Sequence, residues 1–129
     1  MATWEQVKNF AKSNYKLQNE EADYFNIVFD LGDNRSQLVN VTKNQTKKGD
    51  VWVQIYSPVG VIRQDKLINA LEDIDSAICG GLSKSGDKYY VRHCMLIGDM
   101  SAEEFAIPLF IITVIADTLE EKYVGGDTN

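Results

Sequence analysis

The chain is poor in the residues that build catalytic and metal centres. It carries one histidine, His93, and two cysteines, Cys79 and Cys94, in 129 residues. A lone imidazole with no second ligand nearby excludes a histidine-based metal cluster, and the cysteines have no Cys-x-x-Cys spacing. No metal and no cofactor are expected. His93 sits between Arg92 and Cys94 in a run of β-formers and reads as an ordinary strand residue. Cys79 and Cys94 flank a turn near residue 86, so a hairpin register could bring them close. Two reduced thiols are the expected state in a cytosolic chain, with a cross-strand disulfide as the alternative. Neither glycine pair, Gly80-Gly81 or Gly125-Gly126, has the Gly-Lys-Ser/Thr arrangement of a phosphate loop. Ser57 lacks a Gly-x-Ser-x-Gly context and an evident base. No nucleophile–base pair can be assembled, and no enzyme is expected.

Basic charge is also short. The formal net charge is −6, and all of it lies from Gly98 onward, where seven acids meet one base, Lys122. Nucleic acid and anionic membranes are repelled there, and no basic stripe elsewhere compensates. The N-terminal Met-Ala-Thr-Trp-Glu has neither a basic nor an apolar leader region, so a cytoplasmic location is expected. The longest apolar run, residues 105–116, has eleven apolar residues out of twelve. It falls short of the ~20 residues that a bilayer crossing needs, and it contains Pro108.

What is present is the pattern of one α+β domain over residues 1–129, with a loose tail at about 125–129. Thr3-Trp4-Glu5-Gln6 has capping-box form and opens a helix to about residue 13, with Trp4, Val7, Phe10 and Ala11 on one face. Tyr24 to Leu31 alternates as a half-buried strand, Gly32-Asp33-Asn34 turns, and Ser36–Lys43 returns as its hairpin partner. Val51–Tyr56 is a third strand, ended by Ser57-Pro58-Val59-Gly60 because proline cannot donate to a ladder. Residues 64–75 form an amphipathic helix with Leu67, Ala70, Leu71 and Ile74 together. A short strand at Ile78–Leu82 and a longer one at Lys88–Ile97 follow. Ser101-Ala102-Glu103-Glu104 is a second capping box and opens a helix to Tyr123, stopped by Gly125-Gly126. The order is α-β-β-β-α-β-β-α with a five-stranded antiparallel sheet.

The last helix shows two apolar stripes. Phe105, Pro108, Leu109, Ile112, Ile115, Ala116, Leu119 and Tyr123 form a broad one that a sheet can cover. Ile107, Phe110, Ile111 and Val114 form a narrower one, whose cover is either the first helix or another chain. Thr113, Asp117 and Glu120 fall in the polar gap. The Asp117, Glu120 and Glu121 carboxylates are expected in solvent, with salt bridges to a partner's Lys or Arg as the alternative.

The element order, the small acidic chain and the closing Ala116-Asp117-Thr118-Leu119-Glu120 helix resemble bacterial type III secretion chaperone-like proteins. The resemblance is greatest to their relatives described as sensory-transduction regulators. Ile55-Tyr56-Ser57 matches a strand that ends in serine before a short turn. The resemblance spans about residues 3–127. It implies a homodimer that binds other proteins, with grooves that hold an extended segment of a client, and it supplies no catalytic residue.

The first reading is therefore a non-enzymatic, dimeric protein-binding module, chaperone-like or regulatory. Its dimer or client surface is expected at Ile107, Phe110, Ile111 and Val114, with Leu67, Leu71 and Ile74 as a competing patch. The alternative is a small-ligand module with a pocket between sheet and helices, lined by Trp52, Tyr56, Tyr89 and Tyr90.

Overall fold

Two capping boxes start the first and last helices where the sequence places them. A computed structural model describes residues 1–124; the expected tail and the Gly125-Gly126 stop lie outside the described residues. In α1 (Trp4–Asn14), Gln6 N–H donates to Thr3 Oγ1 and Thr3 N–H donates to Gln6 Oε1, both at 3.2 Å. In α3 (Ala102–Leu119), Glu104 N–H donates to Ser101 Oγ at 3.1 Å and Ser101 N–H donates to Glu104 Oε1 at 3.0 Å. Each box satisfies two of the N–H groups that a helix start leaves without intrahelical partners. The last helix then runs on as a π-helical turn, Glu120–Val124.

The sheet has six strands rather than five, in spatial order β1-β2-β3-β4-β6-β5, and all its pairings are antiparallel. The extra strand is β1 (Leu17–Gln18), too short to show any alternation, which edges β2 (Tyr24–Gly32). β2 and β3 (Arg35–Gln45) join through Asp33-Asn34, both at positive φ (51° and 60°). That is the backbone of a two-residue hairpin turn, which Asp and Asn tolerate better than other non-glycine residues.

β4 (Val51–Gly60) corrects an expectation: it continues through Pro58 to Gly60 instead of ending at Tyr56. Pro58 pairs with Tyr90 of β6 (Lys88–Leu96), whereas pairing of β4 with β3 ends at Tyr56. Within a strand, a residue's N–H and C=O face the same neighbour. Pro58 O accepts from the Gln37 side chain on β3 at 2.7 Å, so the missing N–H points where the ladder has already opened. β5 (Gly81–Ser85) starts later than expected because Gly80 has φ +88°, outside strand conformation. A one-turn 3₁₀ helix, Gln64–Lys66, leads into α2 (Leu67–Asp75).

One sheet face is the core. Phe25, Ile27, Val39, Val41, Val53, Ile55 and Val91 point there and are buried. Trp4 of α1 stacks on Phe25 at 5.6 Å, Phe10 meets Phe105 edge-on at 6.0 Å, and α3 lies across β3, β4 and β6. Among the described residues, the opposite face carries no helix, and none of the helices is long and apolar enough to cross a membrane.

Candidate functional site

The two stripes of α3 separate as their spacing requires. Of the broad stripe, Phe105, Leu109, Ile112, Ala116 and Leu119 are buried against the sheet, whereas Pro108, Ile115 and Tyr123 are half-buried. The narrow stripe is left uncovered: Ile107 is 57% exposed, Phe110 53% and Val114 37%, with Ile111 half-buried between them. α1 does not cover it. Phe110 has one aromatic neighbour, Phe29, edge-on at 6.4 Å, at the end of a chain of rings that runs Phe105–Phe10–Tyr15–Phe29.

The patches read as competitors in the sequence meet in space. Of α2, Leu67 and Ile74 are half-buried and Leu71 is exposed, because Ala70 is the residue that faces the core. Ile74 nevertheless joins Ile78, Ile111, Val114 and Ile115 in a groove of about 590 Å³ between α2 and α3. Further toward the N-terminus of α3, Ile107 and Pro108 border a hollow of about 790 Å³ with Met95 and Leu96 of β6. Ile78, at 90% exposure, is the residue that sequence reasoning misses: the pattern places it in a strand, whereas it sits in the bend between α2 and β5.

The polar gap of α3 faces inward: Asp117 and Glu120 are withdrawn from the solvent expected for them, whereas Glu121 stays 65% exposed. Arg35, at the start of β3, donates from Nε to Asp117 Oδ1 at 3.0 Å, and its Nη2 lies 3.3 Å from Glu120 Oε1. Glu121 Oε2 completes the set, 3.3 Å from Nε. Glu120 is fully buried. A buried carboxylate is tolerated only with such a counter-charge. One guanidinium thus removes the repulsion that three acids on one helix face would suffer. Thr113 is also buried, and its hydroxyl donates to Leu109 O at 2.7 Å.

Beneath this cluster, Gln37 Nε2 donates to Ser57 Oγ at 2.9 Å, and Ser57 Oγ donates to Leu38 O. Gln37 Oε1 is buried without a hydrogen-bond partner among the described residues. Ser57 is therefore a bridge across the opened β3–β4 ladder rather than a poised nucleophile. His93 pairs with Ile55 across the sheet, and burial lowers its pKa. Cys79 and Cys94 are both free, and burial raises the Cys79 thiol. Among the described residues, no three His, Cys, Asp or Glu side chains group as metal ligands.

The four aromatics assigned to a ligand pocket do not share a site. Trp52, Tyr56 and Tyr90 lie on the bare sheet face, whereas Tyr89 points to the helical side and is buried. Tyr56 and Tyr90 meet edge-on at 5.7 Å beside Gln54 and Arg92. The rest of that face is amide-rich. Asn40 Nδ2 donates to Asn26 Oδ1 at 2.8 Å, and Gln54 Oε1 accepts from Asn44 at 2.7 Å and from Arg92 at 3.2 Å. A pocket between sheet and helices would have to be lined by other residues. Comparison with protein-family models and with curated proteins gives no match to this chain.

Proposed function

We propose that the chain is a non-enzymatic protein-binding module, chaperone-like or regulatory, that works as a homodimer. The observation that carries the protein-binding reading is the uncovered stripe Ile107–Phe110–Ile111–Val114 on α3. Fully covering an apolar side chain of this kind is worth about 1.5–3 kcal/mol each, so a partner on this stripe gains what the fold leaves unused. Exposed apolar patches beside grooves mark interaction sites more often than they mark catalysis. The secretion-chaperone resemblance points the same way.

The second copy belongs on the bare sheet face. Trp52, Leu96 and Tyr24 are exposed there among amides, and Asp30, Lys88 and Arg92 are its charged residues. Aromatic-rich, charge-poor surfaces suit contact between like molecules, whereas the acidic helical side would repel its own copy.

The test is photo-crosslinking in the native cell with benzoylphenylalanine at position 110 and, as control, at position 48. Discrete adducts with another protein at 110 and not at 48 are expected. Absence of adducts at 110, or the same adducts at both positions, contradicts a binding role for the stripe.

A further inference from the structure

The hollow beside Ile107 and the groove beside Ile111 lie on the same flank of α3, one helical turn apart. Together they run from Glu104 to Lys122, about 27 Å at 1.5 Å rise per residue. The floor of this track is aliphatic: Met95, Ile107, Pro108, Ile111, Ile115 and Ile74. Its edges are acidic. Asp99, Glu103 and Glu104 rim one end and Glu72 the other. Lys122 is the one Lys or Arg among the residues that line the two hollows, and it is held by Asp73 at 2.7 Å.

We infer that this track is a binding site for a basic amphipathic helix of another protein, about five turns long, with aliphatic side chains on one face and Lys or Arg flanking them. The inference rests on the protein-binding reading above and names the partner's chemistry. A helix fits better than an added strand because the track is read through side chains. The nearest strand edge, β6 beyond its pairing with β5 at Arg92, is open for only a few residues. A basic partner fits better than a second copy because the exposed faces of α2 and α3 carry carboxylates, which would meet the carboxylates of the rim, and the exposed lysine of α1, Lys12, is held by Glu20 at 2.6 Å.

The probe is a fluorescein-labelled 18-residue synthetic peptide with Leu at i, i+3, i+4 and i+7 spacing and Lys elsewhere. Its controls are a shuffled peptide of the same composition and a Glu-for-Lys peptide, all read by fluorescence anisotropy at two salt concentrations. The ordered Lys peptide is expected to bind, and its affinity to fall with salt. Ile78→Asp and Ile107→Asp sit at opposite ends of the track on largely exposed residues, so neither disturbs the core. Each is expected to weaken binding about tenfold or more, as loss of an interface anchor does. Glu72→Lys combined with Glu103→Lys is expected to abolish the salt dependence. Equal binding of the shuffled or Glu peptide, or indifference to both Asp variants, overturns the inference. If the peptide fails while adducts at position 110 persist, the partner is not a basic helix but the protein-binding reading stands. Failure of both removes both.

Discussion

Single residues decide whether the two layers of this molecule stay joined. Arg35 reaches the end of α3 and is the counter-charge of the buried Glu120. Arg35→Ala removes this partner of Glu120, and breaking a buried pair costs about 3–5 kcal/mol. Urea unfolding is expected to show that loss, and Arg35→Ala with Glu120→Gln a smaller one. Gly80 is a second such point. Its φ of +88° costs a side chain about 1–2 kcal/mol. A Cβ there would also lie 2.3 Å from Ile112 Cδ1 in the core. Gly80→Ala is therefore expected to lower thermal stability, and Ile112→Val to recover the steric part of the loss but not the backbone part. His93 sets a pH effect. Its folded pKa lies below the ordinary value of about 6.5 because burial disfavours the charged ring. As pH falls, the unfolded chain takes up the proton first. Stability is thus expected to fall from about pH 6.5 down to the folded pKa and to level off below it. His93→Gln should remove that step from a denaturation series across pH.

At the scale of elements, α3 shows why some of this fold was legible and some was not. Its start, its length and its two stripes follow from Ser101, Glu104 and the spacing of apolar residues, all local signals. The fate of its polar gap does not. Asp117 looks solvated until Arg35, 82 positions earlier, is placed against it, and a helical wheel holds no information on that distance. β1 gives no signal because two residues cannot alternate, and the proline rule ends β4 too early because it ignores which neighbour the absent N–H would face. Phe29 and Ile78 show the same limit at the candidate site: the first touches Phe110 through the fold, and the second sits in the bend between α2 and β5 instead of a strand. The tie between α2 and the end of α3 adds a prediction. Asp73 accepts from Lys122 at 2.7 Å and from the Tyr123 hydroxyl, and these bonds, the Lys122 one first, lower its pKa. A depressed carboxylate contributes stability above its unfolded pKa, about 3.9, and that contribution is lost as pH falls through the folded value. Asp73→Asn is expected to flatten the acid limb of the stability profile below about pH 4. An unchanged acid limb would show that the tie is absent in solution.

For the whole molecule, charge and cover are distributed by face. The helical side holds the acids of α2 and α3, an aliphatic track and the exposed stripe. The opposite sheet face holds amides and aromatics with little charge, and no described element covers it. Two such surfaces on a domain of 14.5 kDa suit the two proposed contacts, one with a copy and one with a partner. The account stands or falls on their independence, and light scattering at low micromolar concentration measures it on three proteins. The wild type and the Ile107→Asp/Phe110→Asp variant are expected at twice 14.5 kDa, and Trp52→Glu/Tyr24→Glu, whose positions border neither hollow, at 14.5 kDa with its circular dichroism unchanged. A wild type that is strictly monomeric, or a dimer lost on changing α3 and kept on changing the sheet face, would contradict it.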